Sequence, residues 1–100
     1  MEVAQYYLED LDIGMKAEFE REVTSESVQS FAEVSGDHNP LHLDKDYAEK
    51  TMFGGRIAHG MLSAGFISTI FGTIMPGRGS IYMSQNLKFT APVRHGDLVR

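Results

Sequence analysis

Asp37 and His42 stand five residues apart in the segment SGDHNPLHLD, Ser35 to Asp44. A carboxylate and an imidazole on one turn can share a single water, dividing proton abstraction and proton donation between them. The same residues have a plainer structural reading. Asp37 would cap a helix end, and His42 would be a half-buried histidine with its nitrogens satisfied. Spacing alone leaves both open, because patterns this short arise often by chance.

A metal reading competes for the same residues. His38 and His42 are four apart, which on a helix would put both on one face as in zinc peptidases. Pro40 lies between them and removes that helix. No Glu follows His38 and no third ligand stands out, so no metal is expected. Farther on, His59-Gly60 precedes a long apolar run. A helix starting there would offer free N–H groups and the positive end of its dipole to a carbonyl oxygen gaining charge. Gly60 would let a substrate approach closely. It could equally relieve crowding where a helix enters the core.

The elements that must position these residues are legible in outline. Lys16 to Val23 alternates, with Ala17, Phe19 and Val23 on one face and Lys16, Glu18, Glu20 and Glu22 on the other, which predicts a half-buried strand. Thr24 or Ser25 caps a helix with Val28, Phe31, Ala32 and Val34 as its apolar stripe, and Gly36 ends it. Pro40 forces Asn39 into extended geometry, so Asp37 to Leu43 is expected not to be regular helix. Asp44 caps a short helix from Lys45 to about Thr51, and Gly54-Gly55 breaks the chain. Gly60 to about Ile74 reads as a helix apolar all round, hence buried all round. Pro76 and Gly77 stop it. Ser80 to Val93 alternates as a long strand, His95-Gly96-Asp97 turns, and Leu98-Val99 opens another strand. The fold class is α+β, one long helix wrapped by a mostly antiparallel sheet.

At 100 residues, a single domain spanning 1–100 is expected, and with 42% hydrophobic and 23% charged residues it is globular. A new apolar run begins after His95-Gly96-Asp97 just as the sequence stops at Val99-Arg100, which suggests an N-terminal portion with C-terminal strands beyond it. A net charge of −5 argues against steering toward nucleic acid or anionic lipid. There is no cysteine to make a disulfide or a thiolate metal site. Met61 to Met75 is shorter than the ~18–20 residues of a membrane span, and the acidic start is no signal peptide. A soluble, cytoplasmic protein is expected.

SGDHNPLHLD, then GRIAHGMLSAGF, then GSIYMSQNLKFTAPVRHGD together resemble the MaoC-like dehydratases, most of all the (R)-specific enoyl-CoA hydratase type. The resemblance runs from about Ile13 to Val99 and implies a hot dog fold, in which a sheet wraps a central helix. It also implies that Asp37 and His42 are the catalytic pair, holding a water that adds across the double bond of a trans-2-enoyl thioester. Asn39 would shape the turn and border the site. Gly60 would supply the N–H that polarises the thioester carbonyl, and Ser68 would support the aspartate by hydrogen bonding. His59 belongs to the motif without an assigned role. CoA would be the substrate's carrier, with no cofactor, and the assembly would be a homodimer or larger homo-oligomer.

Met52, Phe53, Met61, Leu62 and Met83 are candidates for an acyl slot, and Arg56, Arg78, Lys88 and Arg94 for CoA phosphates. Each is equally at home as core or solvated surface. A dehydratase for an acyl-carrier-protein or branched dicarboxyl-CoA substrate is one alternative. A hot dog thioesterase is another, disfavoured by the full D-x-N-P-x-H core. A non-catalytic acyl-CoA-binding domain is a third, and it would need neither Asp37 nor His42.

Overall fold

The computed structural model describes residues 2–100. Its elements run β1 (Arg21–Glu22), α1 (Ser25–Ser35), α2 (Pro40–Leu43), α3 (Lys45–Glu49), α4 (Gly60–Thr69) and β2 (Leu98–Val99), after a short 3₁₀ turn at Leu8–Asp10. A π-helical turn, Ile70–Ile74, continues α4, because Met75 N–H reaches back five residues to Ile70 O at 2.8 Å.

Local chemistry sets the helix ends. The Thr24 hydroxyl accepts from Ser27 N–H at 3.0 Å and starts α1. Gly36 ends that helix at φ 83°, a left-handed conformation that a side chain would strain. Asn39 accepts from Leu41 N–H at 3.0 Å and caps α2, while Asp44 accepts from Tyr47 N–H at 3.0 Å and caps α3. Beyond the π-helical turn, Gly77 passes so close to Ala4 that a Cβ would fall 2.0 Å from the Ala4 carbonyl oxygen. That contact ties the N-terminal arm to the end of the long helix. Tyr6 N–H to Pro76 O and Arg78 N–H to Ala4 O, both 2.8 Å, close the seam.

Val23, Val28 and Ala58 form the buried core. Leu43, Leu62, Phe66, Val93 and Val99 pack against it from α2, α4 and the C-terminal segment. Full burial of each valine is worth about 1.5–3 kcal/mol, so this cluster is what holds α1 against the start of α4. β1 and β2 pair antiparallel, Arg21 opposite Val99 and Glu22 opposite Leu98. Val23 N–H to Asp97 O at 2.8 Å and Gly96 N–H to Val23 O at 2.6 Å extend that contact into the turn.

Four expectations are corrected. Pro40 opens a helical turn instead of preventing one, since at the first helical position its missing N–H costs nothing. Asn39 before it is extended at ψ 126°, as the proline demands. The stretch predicted as a strand from Ser80 to Val93 forms no ladder among the described residues; its pairing is confined to its end, where Ala58 N–H donates to Val93 O at 2.7 Å beside the Ile57–Arg94 bridge. Lys16 to Glu20 is likewise unpaired, although its alternation holds, with Ala17 and Phe19 half-buried between exposed charged residues. Third, α4 is not buried all round. Ala64 is its buried residue, while Met61, and Phe71 in the π-helical turn that follows, are exposed, because among the described residues no element covers those side chains. Finally, Val34 falls outside the α1 stripe and points to solvent.

Candidate active site

α2 is a single turn, and it delivers His42 into a cleft between α1, the start of α4 and the segment 89–93. The His42 side chain is 12% exposed, against 53% for Asp37. The imidazole is therefore shielded while the carboxylate opens to solvent. His42 Nδ1–H donates to Ile57 O at 2.8 Å. A carbonyl can only accept, so Nε2 is left with its lone pair. That atom faces Asp37 Oδ2 at 4.0 Å. The gap is too long for a direct hydrogen bond but suits one water held by arms of about 2.8 Å to each. Asp37 is itself placed by its neighbours. Its N–H donates to Ser35 Oγ at 3.1 Å, and its Oδ1 accepts from Asn39 N–H at 3.2 Å.

Three imidazoles cross-brace this segment through main-chain carbonyls. His42 holds Ile57 O, His59 Nε2–H donates to Asp37 O at 2.9 Å, and His95 Nε2–H donates to His42 O at 3.1 Å. His95 Nδ1 accepts from the Ser25 hydroxyl at 2.9 Å. The loop carrying Asp37 and His42 is thus pinned from the start of α4 and from the turn before β2.

Burial, followed by the positive charge of Arg56, holds the His95 pKa below its ordinary value of 6.5, and His42 and His59 add to the effect. The bond to His42 O opposes it. Since the folded value is the lower one, the unfolded chain binds more protons in the histidine range. The contribution of His95 to stability is then fully present above pH 6.5 and is lost as pH falls below it. Melting curves at stepped pH should show that decline, and His95→Gln should flatten it. An unchanged slope in that variant would assign the pH effect to other groups.

Two clefts of about 280 Å³ each meet at this point. One is lined by Phe31, Ser35, Asp37 and Met61, the other by Phe53, Ile57, Ser63 and the chain from Phe89 to Val93. His42, His59, Gly60 and Phe89 border both. Gly60 is the first residue of α4, and among the described residues its N–H has no acceptor. The helix therefore presents a free donor at the junction of the clefts. The Phe89 ring lies so close that a Cβ on Gly60 would meet it at 2.9 Å.

The arrangement sets a carboxylate and an imidazole 4.0 Å apart, with an unpaired main-chain N–H and an apolar slot beside them. Residues 10–100 match the family model described as the MaoC like domain. The chain belongs to the MaoC-like domain family. It is 49% identical over 98 residues to a 3-hydroxybutyryl-CoA dehydratase of Methylorubrum extorquens, covering 98% of this chain and 62% of that protein. It is 51% identical over 94 residues to an (R)-specific enoyl-CoA hydratase of Rhodospirillum rubrum, covering 94% and 65%. Among solved structures, the unliganded R-hydratase PhaJ1 of Pseudomonas aeruginosa superposes with a TM-score of 0.85 at 50% identity, covering 90% of this chain and 58% of that one. The chain thus spans somewhat under two-thirds of the length of these relatives. Its fold class is the hot dog fold of these R-hydratases, with the central helix and antiparallel pairing visible here.

Within this MaoC-like domain, Asp37, His42 and Gly60 come together as anticipated. Asn39 shapes the turn, but its side chain is spent capping α2 and does not line either cleft. Ser68 does not support Asp37 within this chain. It is exposed and lies eight residues beyond Gly60, about 12 Å along the helix axis at 1.5 Å per residue. Of the proposed slot residues, Phe53 and Met61 line the clefts and Leu62 joins the core, whereas Met52 and Met83 are exposed outside both. Arg94 is occupied, its guanidinium donating to Phe53 O at 2.6 Å. His59, Ile57, Phe89 and His95 were not foreseen in the site. His59 at least carried a signal, in the His-Gly pair at a helix start.

Asp37, His42 and His59 also bring one ligand-type atom each to within 4.8 Å of one another. His38 is not part of this group, in which His59 is the third residue beside Asp37 and His42. The His59 Nε2 is already committed to Asp37 O.

Proposed function

We propose that this domain carries out the reversible hydration of a trans-2-enoyl-CoA to an (R)-3-hydroxyacyl-CoA. The observation that carries this reading is the 4.0 Å gap between His42 Nε2 and Asp37 Oδ2 beside the free Gly60 N–H. A water between the pair gives a hydrogen to each acceptor. As its oxygen attacks C3, one proton passes to the pair, and the pair returns one proton to C2 from the same face. The addition is syn, and protons balance. Negative charge gathers on the thioester oxygen, where the Gly60 N–H and the α4 dipole meet it. The apolar cleft lined by Phe53, Ile57 and Phe89 takes the short acyl chain. The names of the relatives, a 3-hydroxybutyryl-CoA dehydratase and an (R)-specific enoyl-CoA hydratase, agree with such a substrate.

No cofactor enters this scheme. His42 and Asp37 act directly on water, so treatment with a chelator should leave the rate unchanged. A rate lost to chelation and restored by a divalent cation would instead make the Asp37–His42–His59 cluster a metal centre.

The direct test is crotonyl-CoA. Its conjugated absorbance should disappear without release of free thiol, and the product should be the (R)-3-hydroxy thioester. Thiol release would indicate a thioesterase, and neither change would indicate a binding domain or another acyl carrier.

A further inference from the structure

Among the described residues His59 is the buried polar or charged residue, 3% exposed, and the water-activating scheme gives it no proton to move. Its ring nevertheless touches Asp37, His42 and Phe31. Nε2–H donates to the Asp37 carbonyl oxygen at 2.9 Å, across 22 residues of sequence. The ring face lies on His42, centroid to centroid 3.8 Å at 31°, and its other neighbour is Phe31 at 4.7 Å. Its main chain is the N-cap of α4, so the next residue is Gly60 with its free N–H. Donation to a carbonyl puts the proton on Nε2, and among the described residues Nδ1 is buried without a partner. The hydrogen bond that the ring makes among the described residues is therefore the one to the backbone of Asp37.

From this geometry we infer that His59 is a positioning residue that sets the 4.0 Å Asp37–His42 gap and its registry with the Gly60 donor. The hydrogen bond fixes where the Asp37 main chain sits, and with it the reach of a short, half-exposed carboxylate. The stacked face fixes the plane of the His42 ring, and so the direction of the Nε2 lone pair. One rigid side chain thereby links the water pair to the oxyanion donor, which otherwise belong to different elements. The inference rests on the hydratase reading for its kinetic consequence but not for its geometry.

Two variants separate the contributions. His59→Phe keeps a ring against His42 and removes the donor. His59→Gln places an amide nitrogen near the former Nε2 and removes the ring. In the folded fraction of His59→Phe, kcat for crotonyl-CoA should fall roughly 10- to 100-fold, since misplacement by about 1 Å can cost ~10²-fold. KM should stay within about twofold, because His59 donates nothing to the substrate. His59→Gln should recover a large part of the lost kcat.

A substrate-free measurement accompanies the kinetics. In nitrogen-15 imidazole spectra, the wild type should show an exchange-protected His59 Nε2–H. The His42 ring resonances should move in His59→Phe and move back toward wild type in His59→Gln. Unmoved His42 resonances in both variants, or an unprotected Nε2–H, would overturn the inference even if the protein hydrates crotonyl-CoA. Equal loss of melting temperature in both variants with unchanged kcat would also overturn it, reducing His59 to a structural residue. Wild type inactive on crotonyl-CoA would count against the hydratase reading alone, since the spectra still decide the geometry.

Discussion

Asp37→Asn and His42→Ala each abolish most turnover of crotonyl-CoA while the domain remains folded. The expected loss is ~10²–10⁴-fold in kcat, the usual worth of general acid–base groups. Asp37→Asn is the cleaner probe. Asparagine keeps an oxygen to accept the Asn39 N–H, the one hydrogen bond the carboxylate makes among the described residues. It also keeps the volume, and the site is already half open to solvent. What disappears is the charge facing His42. His42→Ala is harsher, because it leaves the Ile57 carbonyl without its donor. An unpaired, partly buried carbonyl costs about 1–3 kcal/mol, so melting temperature should fall modestly, and rates need correcting for the folded fraction. Stopped-flow or absorbance assays on variants with native circular dichroism check the point. Wild-type turnover in Asp37→Asn would remove Asp37 from the reaction.

The second large effect concerns a main-chain atom, which ordinary side-chain exchange cannot reach. Gly60 occupies the first position of α4, where proline is tolerated and its missing N–H leaves the helix intact. His59 before it is already extended at ψ 134°, the conformation a following proline requires. Gly60→Pro therefore deletes the proposed oxyanion donor while sparing the helix. Its Cβ, however, meets the Phe89 ring at 2.9 Å. Phe89 is 56% exposed and can swing aside, so the chain should fold, but the cleft loses room. Gly60→Ala introduces the same Cβ and retains the N–H. The ratio of the two variants isolates the donor, and it should be ~10²–10³ in kcat, as for removal of one oxyanion-hole donor. Equal rates for Ala and Pro would show that the Gly60 N–H does not carry the charge.

Some of this site was readable from residue types because the relevant chemistry is local. A cap needs a short polar side chain at one position, so Thr24, Asp44 and Gly36 announced their helix ends. Pro40 told that Asn39 is extended, but it misled about Leu41 to Leu43, since proline both breaks and begins helices. The 80–93 segment had the alternation of a strand, and alternation reports which faces differ, not whether a partner is present. The α4 run was apolar on every side for the same reason. Hydrophobicity states what a helix can bury, while the covering elements decide what it does bury.

The amino-acid sequence by itself determined the family motifs, the acid–base residue types, and the helix start at Gly60. Only the tertiary structure decided their geometry. It set the 4.0 Å gap that suits a water, the tautomer of His42, and the exclusion of Ser68 from Asp37. It also brought His59 and His95 onto the carbonyls of Asp37 and His42. The physical reason is that the acceptors are main-chain oxygens. Every residue carries one, so no residue type marks Ile57, Asp37 or His42 as the partner, and only the packing of α2 against the start of α4 and the turn before β2 selects them.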